Sequence, residues 1–370
     1  MRVGVDTQAL NGAFTGHRIY LDGLMKGFEE LYKLNTRELN LNEQREGANG
    51  NHQLIRLNLV SHELRTARRI LHDQIQLPWA AWRSKLDLLF VPAFSVPLLY
   101  PGKIVATVHD LTALDYPENF PAVSRFYWTR LVPYSLRRAD RLIAISQYTK
   151  DWVVERLGID PEKIDVVHSA CDQRYFRTVS SQEQKEACTR NNLPEEFVMM
   201  VGTIEKKRNH ETLIRAYSQL KDAPPLLLVG KKAHAWPALE ELIHELKLED
   251  RLLVRSEISS KDLPALYQRA ALTVVPSLSE GFGLPVLESM ASGTPVVVAK
   301  STALPEIAGS AALFFDPHAP EELADQMAKL LHDSALREKL SQLGKTRATE
   351  FTWLRTAQQT SAVFSSITTI

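Results

Sequence analysis

The stretch 272–299 reads as strand, loop, helix, strand, and no other feature constrains the possible folds of this chain as much. Leu272-Thr273-Val274-Val275 and Val296-Val297-Val298-Ala299 are short β-branched runs of the kind that are covered on both faces. Two strands joined through a helix lie parallel, because a parallel pair needs a long crossover connection. Within the crossover, Pro285 suits the first turn of a helix and Gly293 its left-handed end. Gly281 and Gly283 let the preceding loop bring its backbone close to a ligand. A helix start behind such a loop offers unpaired amides to a phosphate.

The same unit recurs along the chain. Strand-like runs occur at 2–5, 54–60, 87–92, 103–108, 141–146 and 164–169, then at 197–201, 226–229, 251–255 and 312–317. Helical spacing separates many of them, as at 19–31, 212–220, 236–246, 263–269 and 320–331, and Ser146 stands where a helix cap belongs. The segment 123–140 is also helical in spacing, with an interruption expected at Pro133. This alternation predicts an α/β fold with parallel sheets. A length of 370 residues exceeds what one core usually serves, so two domains are expected. The polar stretch 176–194 reads as the linker between them, and the Gly/Asn-rich stretch 40–53 as a surface loop.

Composition excludes several function classes. Lys plus Arg, at 44, equals Asp plus Glu, at 44, so nothing draws the chain as a whole to nucleic acid. Cys171 and Cys188 are too few for a disulfide scaffold or a zinc framework, which suggests a reducing compartment. The chain opens on a strand rather than a signal peptide, and no apolar run approaches the ~20 residues of a membrane span. A cytoplasmic protein is expected. The segment with Arg65, Arg68 and Arg69, followed by Trp79 and Trp82, reads first as a surface helix that buries its apolar side and solvates its arginines. Its second reading is a peripheral contact with the inner membrane surface or a lipid-linked acceptor.

Chemistry-bearing residues gather at the ends of these strands, where open parallel sheets bind ligands. Glu280 lies in the loop of the central unit and Glu288 about one turn into its helix. Two carboxylates beside an anion site suit a ligand whose hydroxyls are joined to a diphosphate. Taken alone, the pair also reads as two solvated glutamates on a Gly-containing turn. Lys206, Lys207 and Arg208 follow Gly202-Thr203 at another helix entrance and can hold a diphosphate by point charge and by fork geometry; a solvated basic turn is the plain alternative. His109 is delivered to the end of the run 103–108. Gly16 closes a Gly-bearing turn before the helical segment that starts at Ile19.

From Pro276 to Val296 the chain resembles the retaining glycosyltransferases of the GT-B type, in particular family 4 (group 1), whose block reads P-S-x-x-E-G-F-G-L-P-x-L-E-A-M-A-x-G-x-P-V. Ser289 replaces the usual Ala, and the agreement continues through Leu304-Pro305-Glu306-Ile307-Ala308-Gly309. The family's V-H-D-L pattern is met at Val108-His109-Asp110-Leu111. Its phosphate loop, V-G-T-x-E-P-R-K-N or V-G-R-x-x-x-x-K-G, corresponds to 201–209, with Arg208 in the place of the phosphate-binding lysine and Thr203 in that of the second form's arginine. Where the family shows P-N-G-V-D, this chain departs with His168-Ser169-Ala170-Cys171-Asp172.

The resemblance implies two Rossmann-like domains whose parallel sheets face a cleft. They are an N-terminal acceptor domain over 1–175 and a donor domain over 176–350, with a helix in 351–370 crossing back to the first. It implies transfer of a sugar, with mannose favoured by the Val201-Gly202-Thr203 loop, from a nucleoside diphosphate sugar to a hydroxyl of a glycan or lipid-linked acceptor. No cofactor or metal is expected, in keeping with the lack of an Asp-x-Asp motif. Catalytic contacts fall on His109, beside the reacting sugar, and Glu280, on its hydroxyls. Donor contacts fall on Gly16, Thr203, Lys207, Arg208, Ile258, Gly281, Phe282, Gly283, Leu284 and Glu288, with Glu288 on the ribose and Ile258 at the base. Within the same fold a nucleotide-sugar epimerase or a phosphorylase stays open, and so does a non-catalytic sugar-nucleotide sensor. A dinucleotide-dependent oxidoreductase has the same sheet type, but no Gly-x-Gly-x-x-Gly follows any strand.

Overall fold

The computed structural model describes residues 1–11, 16–38, 52–62, 64–93, 95–110 and 112–367. The chain divides into two compact units, one of residues 1–170 with 352–370 and one of residues 171–351.

The first unit is built on six parallel strands: β1 (Arg2–Asp6), β2 (Gln53–Leu57), β3 (Leu88–Val91), β4 (Lys103–Val108), β5 (Arg141–Ala144) and β6 (Ile164–Val166), in the order β2-β1-β3-β4-β5-β6. The central strands β3 and β4 are buried along almost their whole length, which is why they read as continuous apolar runs. The helix Gly16–Glu38 packs against the C-terminal helix Trp353–Ser366. Gly23 and Gly27 make that approach possible. A Cβ on Gly23 would lie 2.0 Å from the Trp353 ring, and one on Gly27 would lie 2.2 Å from the Trp353 carbonyl oxygen.

The second unit repeats the plan with β7 (Phe197–Val201), β8 (Leu226–Val229), β9 (Leu252–Arg255), β10 (Ala270–Val275), β11 (Val296–Ala299) and β12 (Leu313–Phe315). The order β12-β11-β10-β7-β8-β9 places the topological switch point between β7 and β10. Ser289, the departure from the family's alanine, is buried in the helix Leu284–Ala291. Its hydroxyl meets Thr273 of β10 and donates to the Thr294 carbonyl at 2.9 Å, so helix and strand are fastened together.

Three sequence expectations need correction. Residues 176–194 are not a bare linker: Ser181–Arg190 is a helix with a full capping box between Ser180 and Glu183, packed against the helix Leu263–Arg269. In 123–140 the interruption is a π turn at Tyr127–Leu131, and Pro133 sits harmlessly in the first turn of the following segment, Val132–Leu136. The segment carrying Trp79 and Trp82 buries Leu77, Ala80 and Ala81 and solvates Arg65 and Arg68, but both tryptophans are exposed rather than part of the buried apolar side. Of the expected surface loop 40–53, residues 40–51 lie outside the described residues, and Gln53 already belongs to β2.

Gly27→Leu should force the helix Gly16–Glu38 off the Trp353 backbone and lower the unfolding free energy by about 2–3 kcal/mol. Urea titration checks this, and an unchanged midpoint contradicts the packing described.

Candidate functional site

At the switch point of the second unit, the loops leaving β7 and β10 are held side by side. The Leu278 amide donates to the Lys207 carbonyl at 2.7 Å. Asn209, left-handed at φ 57°, donates through its side chain to the carbonyls of Pro276 at 3.1 Å and Pro317 at 2.8 Å. It thereby ends the basic turn Lys206–Arg208 and starts the helix His210–Ser218. Beneath the turn, His210 is buried, and desolvation together with the Arg208 charge pushes its pKa down to about 3. It stays neutral and adds no competing cation.

The two loops exchange charge directly. Arg208 forms an ion pair with Glu280, both largely shielded from solvent, and Ser277 donates to the same Glu280 oxygen at 3.0 Å. The Glu280 amide donates to the Thr302 hydroxyl at 3.0 Å. Glu205 stands 4.0 Å from both Lys207 and Arg208, so the cations are matched by carboxylates inside the protein. Thr203 is exposed at the exit of β7.

The loop Gly281–Gly283 leads from Glu280 into the helix Leu284–Ala291. Gly283 occupies the cap position at φ 105°, where a Cβ would come within 2.6 Å of Leu304 Cδ2, so the first turn has no side-chain cap. Phe282 turns its ring inward against Phe351, 5.9 Å between centroids, and therefore presents only backbone at the loop surface.

Glu288 belongs to a separate cluster. Its Oε2 accepts from Tyr267 Oη at 2.8 Å, and Tyr175 supplies a second hydrogen bond. The two tyrosine rings meet edge to face at 5.6 Å, which fixes both hydroxyls. Burial raises the Glu288 pKa, and the tyrosine hydrogen bonds pull part of that shift back. Cys171 and Asp172, the last two residues of the segment that departs from the family pattern, lie here: Cys171 is buried, its thiol pushed well up by desolvation and then by the Glu288 charge, and Arg174 pairs with Asp172 at 2.7 Å. Ile258 follows β9, two strands beyond β7 in the sheet.

Gly16 and His109 belong to the first unit. His109 Nε2 lies 2.7 Å from the Pro92 carbonyl oxygen; a carbonyl can only accept, so Nε2 carries the proton and Nδ1 is the lone-pair nitrogen of the neutral ring. Burial lowers its pKa, and the rings of His17 and Tyr20 stand edge-on at 4.7 and 4.6 Å. Gly16 opens the helix that carries His17 and is itself exposed, with open space where a Cβ would point.

The structure thus brings Lys207, Arg208, Glu280 and the 281–284 loop together, and gathers His109 and the start of the Gly16 helix in the other unit. Sequence reasoning missed Tyr175, Tyr267, Ser277, Thr302 and His17. Ser277 stood inside the recognised block, whereas the others carry no local signal.

Comparisons with known proteins place the chain in a family. Residues 181–347 match the family described as glycosyl transferases group 1, and residues 40–174 match glycosyltransferase family 4. The chain is 29% identical over 299 residues to the O-antigen chain mannosyltransferase B of Escherichia coli, covering 80% of this chain and 78% of that one. It is 32% identical over 282 residues to the serotype-specific mannosyltransferase WbdA of Escherichia coli, but spans only 33% of its length. Among solved structures, sucrose-phosphate synthase from Thermosynechococcus elongatus superposes with a TM-score of 0.75 at 20% identity, covering 100% of this chain and 99% of that one. Anabaena HepE in complex with UDP and glucose superposes at 0.73 and 18%, covering 99% and 100%. These likenesses establish the GT-B fold.

A carboxyl whose folded pKa is raised helps the fold below its unfolded pKa and loses that contribution as pH rises through the raised value. The Glu288→Gln variant should therefore show a flatter decline in unfolding free energy than the unaltered chain as pH climbs from the ordinary glutamate value of 4.5. Denaturant titrations across that range test it; identical slopes contradict an enclosed, ionising Glu288.

Proposed function

Because the chain belongs to the group 1, family 4 glycosyltransferases, we propose that it moves mannose from GDP-mannose to a hydroxyl of a growing glycan or lipid-linked acceptor, with the donor's anomeric configuration kept. It is an enzyme of sugar transfer. The choice of mannose is supported by the names of its relatives, O-antigen chain mannosyltransferase B and WbdA. The observation that carries the site assignment is the Arg208–Glu280 pair at the crevice between β7 and β10.

In this reading the diphosphate competes with Glu280 for Arg208. Two phosphate charges at the mouth of the basic turn draw the guanidinium, assisted by Lys207 and the exposed Thr203 hydroxyl, and Glu280 is freed to accept from hydroxyls of the transferred sugar. The amides at Gly281, Gly283 and Leu284 add the positive end of a helix that has no side-chain cap. Glu288, held by its tyrosines, accepts from the ribose, and the backbone at Ile258 meets the base. The roles of Gly16, as an amide to the diphosphate, and of His109, beside the reacting sugar, follow the family pattern.

Transfer breaks the bond between C1 of the sugar and the phosphate oxygen and forms the bond from C1 to the acceptor oxygen, whose proton passes to the departing diphosphate. Negative charge grows on the leaving oxygens, so fixed cations and amides there act on the transition state itself. His109, neutral with its proton committed to Pro92, orients the sugar rather than removing a proton through Nε2. With Lys207 and Arg208 at the diphosphate, the reaction proceeds without a divalent ion.

A panel of nucleotide sugars should give its largest thermal stabilisation with GDP-mannose, by mass action on the folded state and undiminished by a chelator. Glu288→Ala should abolish that shift, and Arg208→Gln should weaken it at least tenfold in apparent affinity, which is about 1.4 kcal/mol. Stabilisation by no member of the panel, or an unchanged affinity in both variants, overturns the site.

A further inference from the structure

In the first unit the loop that leaves β3 supplies the Pro92 carbonyl, which accepts from His109 Nε2 at 2.7 Å. A few residues further on, Ser95 and Val96 are fully buried. A buried loop has to satisfy its backbone groups without water. Here side chains do it. Tyr127 Oη accepts from the Ser95 amide at 3.1 Å, Ser135 Oγ from the Val96 amide at 3.0 Å and Gln74 Oε1 from the Leu98 amide at 3.0 Å. Gln74 Nε2 in turn donates to the Val96 carbonyl at 3.0 Å and to Ser95 Oγ at 3.1 Å.

Asp73 stands at the centre of this clamp, buried together with His72. Its Oδ2 accepts from Ser95 Oγ at 2.6 Å and from Tyr127 Oη at 2.7 Å, so the hydroxyl that receives the loop amide is itself aimed by the carboxylate. His72 Nδ1 lies 3.1 Å from the other oxygen, Oδ1. Burial opposes a charge on His72, but the hydrogen bond to Asp73 and the charges of Asp6 and Asp73 outweigh it and raise the imidazole pKa.

Both arms of the clamp come from interrupted helices. Asp73 and Gln74 lie in the π turn His72–Gln76, and Tyr127 opens the π turn Tyr127–Leu131. A π turn is an irregularity that recurs at functional sites, and these two meet across one carboxylate. Packing alone gives a poor account of the cluster, because a buried carboxylate beside an imidazole adds little stability over apolar residues of the same volume. What a satisfied polar network does supply is direction.

That direction reaches His109. The rings of His17 and Tyr20 stand edge-on to the imidazole and confine its plane, whereas the Pro92 carbonyl decides which nitrogen carries the proton. We propose that Asp73, acting with Tyr127 through Ser95, is a positioning residue for His109: it fixes the loop 92–98 so that the Pro92 carbonyl holds the imidazole in one tautomer and one orientation. The step from a placed His109 to faster transfer rests on the functional reading above, in which His109 stands beside the reacting sugar; the placing itself does not.

The test uses the full chain with isotope-labelled histidine. The Nε2 proton of His109, recognised by its loss in His109→Asn, should give a slowly exchanging signal in the ligand-free protein. Tyr127→Phe and Asp73→Leu should each shift that signal and speed its exchange with solvent at least about fivefold. Asp73→Asn, whose amide oxygen still accepts from Ser95 and Tyr127, should keep it. In the release of GDP from GDP-mannose, Tyr127→Phe should lower kcat about tenfold and leave KM within about twofold, and Asp73→Asn should retain most of the rate. Should Asp73→Leu not fold, Tyr127→Phe decides alone, since it removes a single hydroxyl. An unshifted His109 proton in the folded variants, or a raised KM with kcat untouched, overturns the proposal. An unaltered chain that releases no GDP contradicts the functional reading but not this one, which the proton signal still decides.

Discussion

The ion pair between Arg208 and Glu280 is the contact on which the second unit's site depends. Each residue sits at the end of a loop whose position is set by a different strand, β7 for the arginine and β10 for the glutamate, and these strands are neighbours only because the sheet reverses its order there. A partly buried pair of this kind is costly to leave half-made, since an unmatched charge in a shielded place lacks both water and partner. Without a ligand the two residues therefore satisfy one another. A ligand that offers an anion to Arg208 and hydroxyls to Glu280 can replace the pair without stranding either charge, and a nucleoside diphosphate sugar carries both in one molecule.

Around that pair the protein fastens most side chains and leaves one helix start bare. Asn209 and the Leu278 amide lock the basic turn against the neighbouring loop. His210 beneath it is kept neutral by burial and by the arginine above. Glu288 is held by two tyrosine hydroxyls, which orient the carboxyl and temper its raised pKa. By contrast, Gly283 leaves the following helix start without a side-chain cap, and the Phe282 ring is withdrawn onto Phe351.

Much of this was legible in the sequence. Runs such as Val296-Val297-Val298-Ala299 announce parallel strands because burial on both faces removes any alternation, and the glycines and prolines around residues 281–295 mark the loop, the helix start and its end. The helix Ser181–Arg190 was hidden by its polarity, since it buries little beyond Ala187 and Cys188, although Ser180 and Glu183 spell its capping box. The π turn at Tyr127–Leu131 defeated a spacing argument based on regular helices. Tyr175 and Tyr267 were not readable as partners of Glu288, because they are brought to it from 113 and 21 residues away by packing alone. The mutual pairing of Arg208 with Glu280 was likewise invisible; the sequence assigned each of them to a ligand.

The most direct measurement is the structure of the chain with GDP-mannose or its unreactive analogue bound. The account predicts the diphosphate against Lys207 and Arg208, with Glu280 released from the guanidinium and facing the sugar hydroxyls. A ligand lodged elsewhere while Arg208 and Glu280 keep their pairing would contradict it.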